Sequence, residues 1–132
     1  MKILLDTNAY SAFQRRHEFV VDQVRGSEEV LLPMIVVGEL LFGFWNGSRY
    51  EENTQALRYF VKDPNVRLLP ITWNTADLFG RISTALRKKG RPIPTNDIWI
   101  AAHALEARAN LLSSDPHFGD VDGLSRVAFP AA

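Results

Sequence analysis

Residues 1–13 read MKILLDTNAYSAF. Ile3, Leu4 and Leu5 form an apolar run that stops at Asp6, Thr7 and Asn8. A short apolar run bounded by turn-forming residues predicts a buried strand over Lys2–Leu5. Strands that are apolar on both faces belong to parallel sheets covered by helices. Asp6 would then stand at the carboxyl end of a strand, where open parallel sheets bind their ligands. The plainer alternative is that Asp6 caps a turn or the helix that follows.

Working outward, short β-type runs alternate with longer helical patterns. Asn8 to Phe13 predicts a short helix, and His17 to Arg25 a longer one. Val30 to Leu32 predicts the second strand, with Pro33 suited to the start of a helix over Met34–Asn46. Ser48 to Lys62 predicts another helix, stopped by Asp63-Pro64-Asn65. Val66 to Ile71 predicts a third strand. A helix capped by Thr72 or Asn74 runs to about Gly90, with Arg87, Lys88 and Lys89 favoured in its last turn by the helix dipole. Arg91 to Pro94 is a proline-rich loop. Thr95 or Asn96 caps a helix to about Arg108. Asn110 to Ser113 predicts the fourth strand, and Val127 to Phe129 a fifth. The expectation is a three-layer α/β/α sandwich around a parallel sheet of four to five strands.

The bulk numbers bound what such a fold does. The 132 residues fit one domain, 1–132, able to bury a sizeable core. Hydrophobic residues make up 46% and charged residues 23%, a globular composition. There is no cysteine, which excludes disulfides and thiolate metal sites. Fifteen Lys and Arg balance fifteen Asp and Glu, so any polyanion must be met by a local patch or through cations. The MKILL run is too short for a signal peptide. Val30 to Trp45 contains Pro33 and Glu39 and falls short of a membrane span. The expectation is a soluble cytoplasmic protein without membrane contact.

Four acids stand at the edges of apolar elements. Asp6 ends the first strand. Glu39 lies in MIVVGELLFGFW, beside the stripe of Val36, Leu40, Gly43 and Phe44. That helix is so apolar that it is expected to be largely buried, where a lone carboxylate is costly. The alternative is a Glu facing solvent. Asp97 lies in the first turn of PTNDIWIAAHALEA, whose core stripe is Ile98, Ala101, Ala102 and Leu105. Acids are favoured in first turns in any case. The small Ala101 and Ala102 allow close approach to the sheet, which would bring Asp97 near the strand ends. Asp115 follows the fourth strand in SSDPHF, with an Asx turn before Pro116 as its alternative. Asp120 is the reserve for the fourth position.

Should these acids converge, their repulsion forbids full ionisation without a cation. Oxygen-only donors suit Mg²⁺ or Mn²⁺. Such ions clamp the attacking and leaving oxygens of a phosphodiester or generate hydroxide from bound water.

The ordered set of Asp6-Thr7-Asn8 after a strand, Glu39 in a helix, TNDIWIAA over 95–102 and SSDPHF over 113–118 resembles the PIN-domain ribonucleases. In size and motif wording the chain is similar to the VapC toxins of VapBC toxin–antitoxin pairs. The resemblance spans essentially the whole chain and implies a PIN-like α/β/α fold with metal-dependent endonucleolytic cleavage of RNA. It places Asp6, Glu39, Asp97 and Asp115 on the acidic quartet that holds Mg²⁺ or Mn²⁺. It gives Thr7, Asn8 and Ser113 supporting positions, Thr7 and Ser113 as orienting hydroxyls. It also implies a homodimer inhibited by a small VapB-like antitoxin, with DNA bound only through that partner.

An RNA substrate wants a basic path. Arg81, Arg87, Lys88, Lys89 and Arg91 cluster just before Asp97, and Arg15 and Arg16 follow the Asp6 segment. Arg87, Lys88, Lys89 and Arg91 are the candidate RNA contacts, against the alternative of a solvated helix end. Trp45, Trp73 and Trp99 read as packing or interface residues. Phe42, Phe44 and Trp45 read as core, with an interface as the alternative. His17, His103 and His117 show no zinc spacing, and His117 keeps a minor site role through its closeness to Asp115.

Three rivals stand beside this reading. A phosphoacceptor role for Asp6 lacks the second nearby acid such sites present. A catalytically silent partner-binding domain has no need of four costly carboxylates. A processing nuclease that is not a toxin differs by lacking an antitoxin encoded beside it.

Overall fold

The structure, a computed structural model, describes residues 1–131. The elements follow in the order β1 (Lys2–Leu5), α1 (Thr7–Gln14), α2 (Glu18–Arg25), β2 (Glu29–Pro33), α3 (Met34–Trp45), α4 (Tyr50–Val61), β3 (Val66–Leu69), α5 (Trp73–Lys89), α6 (Thr95–Ala107), β4 (Asn110–Ser113) and β5 (Arg126–Ala128). A short 3₁₀ helix over Pro116–Asp120 joins the last two strands. The five strands form one all-parallel sheet in the order β3-β2-β1-β4-β5, flanked by helices.

The apolar runs end up at the centre of the sheet. Ile3, Leu4 and Leu5 of β1, Leu31 and Leu32 of β2, and Leu111 and Leu112 of β4 are all fully buried. Each leucine of this kind stabilises the fold by roughly 1.5–3 kcal/mol relative to an exposed one. The edge strands differ. Arg67 and Leu68 of β3 and Arg126 and Ala128 of β5 are exposed, so only the inner three strands are buried on both faces.

Boundaries shift by a few residues for local reasons. β3 stops at Leu69, because Pro70 has no N–H to continue a ladder. Thr72, rather than Asn74, caps α5, in a capping box with Thr75. Gly90 ends α5 in the left-handed conformation, at φ 68°, where glycine meets no steric penalty. The first turn of α6 has no side-chain cap. Pro94 holds the N-cap position, and its carbonyl accepts from the N–H groups of Asp97 and Ile98. Thr95 and Asn96, expected as caps, are both helical instead.

α3 departs most from expectation. Only Val36 and Leu40 are buried along it, with Phe44 half-buried against the core. Phe42 and Trp45 are 72% and 67% exposed. The assignment of these two residues to the core is therefore corrected. The helix is apolar all round because one side faces the core and another presents apolar surface outward. α6 fulfils the small-residue expectation: Ala101 and Ala102 are fully buried, and the helix packs on β4, α3 and α5.

Candidate metal centre

The chain leaves β1 for β2 and β3 on one side, then crosses back to β4 and β5 on the other. β1 and β4 are therefore the neighbours at which the direction of winding reverses. Such a switch opens a crevice above the carboxyl ends of the two strands. Asp6 follows β1 directly, and Asp115 lies two residues beyond the end of β4.

The parallel register pairs Leu5 with Leu112, which sets Asp6 abreast of Ser113. The Ser113 hydroxyl donates to Asp6 Oδ2 at 2.5 Å. Asp6 Oδ1 accepts the Ala9 N–H at 2.8 Å, as the N-cap of α1. Capping and a place in the crevice are thus both true of the one side chain. Ser113 Oγ in turn accepts the Asp115 N–H at 2.9 Å, so a fully buried hydroxyl links the two strand-end acids. Asp115 also makes the Asx-type contact its sequence suggested, with Oδ1 accepting from the His117 N–H at 2.9 Å.

The helices deliver the other two acids. Glu39 of α3 accepts the Thr7 hydroxyl on Oε1 at 2.7 Å and the Asn96 amide on Oε2 at 3.4 Å. Thr7 opens α1 and Asn96 opens α6, so Glu39 is held from both sides of the crevice. Asp97 sits in the first turn of α6, half-buried.

The four carboxylates form one electrostatic group. Burial pushes the Asp6 carboxyl up to about 6, with a further push from the charges of Asp115 and Glu39. The hydrogen bonds from Ser113 and Ala9 pull it back only in part. Asp97 is also raised to about 6, first by burial and then by Asp115, Glu39 and Asp6. A divalent cation offsets the burial and crowding that raise these two acids, and carboxylate oxygens are the donors Mg²⁺ and Mn²⁺ accept. The residues present fit such an ion.

Not every expected residue is drawn in. Asn8 is exposed on α1 and makes no side-chain hydrogen bond among the described residues. Asp120 faces Arg91 instead, at 3.7 Å. Lys89 is tied to the Asp122 carboxylate at 2.6 Å and to the Asp120 carbonyl at 2.8 Å. Arg87 and Lys88 are exposed and make no ion pair among the described residues. Arg81 pairs with Asp77 along α5.

Two residues at the crevice, Asn96 and Arg126, had no assigned place there, and a third, His117, had only a minor one. Asn96 was read as a cap, and only the cap-free start of α6 releases it toward Glu39. Arg126 of β5 donates from Nη1 to the Asp115 carbonyl at 3.1 Å, a contact across the β4–β5 connection with no local signal. His117 Nε2 lies 3.5 Å from Asp115 Oδ1. Its signal was the Asp-Pro-His spacing, since an Asx turn sets residue i+2 beside the acid.

The fold is thus a parallel α/β sandwich with four acids at its winding switch. Residues 3–124 match the PIN domain family. Ribonuclease VapC1 of Haemophilus influenzae strain R2866 is 30% identical over 117 residues, covering 86% of each chain. The VapBC-1 structure from nontypeable Haemophilus influenzae superposes with a TM-score of 0.85 at 25% identity, over 97% of this chain and 98% of that one. VapBC2 from Rickettsia felis, solved bound to a DNA fragment from its promoter, has the same fold, with a TM-score of 0.87 at 22% identity over 98% and 99% of the two chains. The chain belongs to the PIN-domain family, among the VapC ribonucleases.

Proposed function

We propose that this chain is a metal-dependent endoribonuclease acting as the toxin of a toxin–antitoxin pair. The observation that carries the reading is the convergence of Asp6, Glu39, Asp97 and Asp115 at the β1/β4 switch, with two of them raised to about 6. A carboxylate cluster at such a position suits a divalent cation, and the chain's membership of the VapC ribonucleases points to RNA as the polymer cut.

Each residue has a part. Asp97 and Asp115 reach the crevice from a helix start and a strand end, and with Asp6 and Glu39 they would hold Mg²⁺ or Mn²⁺. Such an ion supplies charge neutralisation at the scissile phosphate. Ser113 orients Asp6 and anchors the Asp115 backbone. Thr7 and Asn96 fix the two oxygens of Glu39, so that the carboxylates are set before substrate arrives. Arg87 and Lys88, at the end of α5 and without an ion pair among the described residues, are the residues that would meet the RNA backbone.

The partners follow from the same kinship. A VapB-like antitoxin is the inhibitor we propose, with DNA engaged only through it. A second copy of the chain is the other partner. Apolar surface for such contacts is present: Phe42 and Trp45 project from α3, and Trp73 at the start of α5 is 88% exposed. Among the described residues no helix is long and apolar enough to cross a membrane.

The direct test incubates purified chain with mixed cellular RNA in Mg²⁺, Mn²⁺ or EDTA, beside Asp97→Asn. Discrete cuts that require metal and disappear in the variant are expected. Cuts that persist in EDTA, or full activity in Asp97→Asn, refute the metal centre.

A further inference from the structure

The acids of the crevice are not equivalent. Asp6 has both carboxylate oxygens engaged by protein donors, and so does Glu39. Asp97 accepts no hydrogen bond from a side chain among the described residues, and Asp115 uses only Oδ1, for the His117 N–H. On this freer side stands an imidazole. One oxygen of Asp97, one oxygen of Asp115 and one ring nitrogen of His117 all lie within 4.8 Å of one another. Neither Asp6 nor Glu39 joins that group.

The imidazole is placed by the backbone. Pro116 opens the 3₁₀ helix, and the Asx contact of Asp115 to the His117 N–H locks the turn. The turn that fixes Asp115 therefore also fixes the base of His117. The ring is half-exposed, so it is reachable from solvent. Two carboxylate oxygens and one imidazole nitrogen make a mixed donor set. Mg²⁺ favours oxygen and takes nitrogen reluctantly, whereas affinity for imidazole rises along the first-row metals from Mn²⁺ onward.

We propose that His117 is a metal ligand beside Asp97 and Asp115, and that it tilts the centre toward Mn²⁺ over Mg²⁺. This rests on the metal-centre reading above and adds the identity of the third donor and its consequence for selectivity. In the simpler arrangement the imidazole only pairs with Asp115, and the donor set stays all-oxygen.

The test reads binding rather than cleavage. Full-length chain is titrated with Mn²⁺, with Mg²⁺ as competitor, and the bound Mn²⁺ is examined by pulsed electron paramagnetic resonance. His117→Gln exchanges the ring nitrogen for an amide of similar reach, and Asp97→Asn serves as reference. We expect imidazole-nitrogen coupling in the wild-type spectrum and none in His117→Gln. We also expect Mn²⁺ affinity to fall by at least about tenfold in that variant, the loss that even outer partners of a metal command. Mg²⁺ affinity should change much less. A wild-type spectrum without nitrogen coupling overturns the proposal with no reliance on a variant. So does an unchanged Mn²⁺/Mg²⁺ ratio in His117→Gln while Asp97→Asn loses binding. Undiminished Mn²⁺ binding in Asp97→Asn fails the underlying metal centre itself, a result distinct from either of these.

Discussion

Asp6, only 5% exposed, satisfies Ala9 with one carboxylate oxygen and Ser113 with the other, yet its carboxyl is raised to about 6. Burial and the neighbouring acids outweigh two good hydrogen bonds. Because the folded value lies above the ordinary 3.8, folding takes up a proton. The stability contributed by Asp6 is complete below about 4 and is lost as pH rises through about 6. A shift of this size corresponds to about 3 kcal/mol. Asp6→Asn removes the charge but presents Nδ2 to Ser113, which forfeits part of that gain. We expect metal-free Asp6→Asn to be about 1 kcal/mol more stable than wild type at neutral pH. The difference should grow between about pH 4 and pH 6 and stay flat above. Urea unfolding in EDTA across that range checks it. A variant less stable than wild type at pH 7 would show that the hydrogen bonds outweigh burial and repulsion together.

Among the elements, α6 serves the site and the core at once. Its first turn delivers Asn96 and Asp97 to the crevice, and its body carries Ala101 and Ala102 against the sheet. Further along, His103 is 1% exposed, and neither ring nitrogen has a hydrogen-bond partner among the described residues. Burial lowers its pKa, with the charge of Glu106 acting in the opposite sense. The neutral ring is thus the folded form. Stability from this group is held above the ordinary value of 6.5 and declines as pH falls below it, since the unfolded chain then binds the extra proton. Replacing an unpartnered buried polar ring by an apolar side chain removes a desolvation cost. His103→Leu should gain about 1 kcal/mol at pH 7. The gain should widen as the pH drops from 6.5 toward 5, with RNA cleavage unchanged, as thermal unfolding and the RNA assay together report.

For the molecule as a whole, neutrality conceals an uneven distribution of charge. Acids gather at the switch, and the cations of the α5 exit divide into two kinds. Lys89 and Arg91 are engaged by Asp122 and Asp120, which ties the end of α5 to the loop before β5. Arg87 and Lys88 remain available. The double substitution Arg87→Gln and Lys88→Gln should weaken RNA binding without regard to sequence. It should also flatten the plot of log affinity against log salt by about 1.4, the value for two lost phosphate contacts on a single strand. Filter binding with an Asp97→Asn background, which prevents turnover, measures that slope. An unchanged slope places the RNA path elsewhere.

The local pattern of residues was enough for most elements, and it singled out the four acids that we propose hold the metal. The runs at Ile3–Leu5 and Leu111–Leu112 read as strands because they are short, wholly apolar and bounded by turn residues. Asp6, Glu39, Asp97 and Asp115 were visible because each interrupts or borders such a segment. Three things needed the fold. The exposure of Phe42 and Trp45 depends on which face of α3 the sheet covers, and hydrophobicity carries no direction when every face is apolar. The release of Asn96 from capping depends on where Glu39 arrives, across a separation of 57 residues. The union of Asp97, Asp115 and His117 depends on a winding order that brings a helix start beside a strand end. Sequence by itself determined which residues carry charge at the ends of buried elements. Tertiary structure alone decided which of those charges meet, because their distances are set by the order and register of the strands and not by their spacing along the chain.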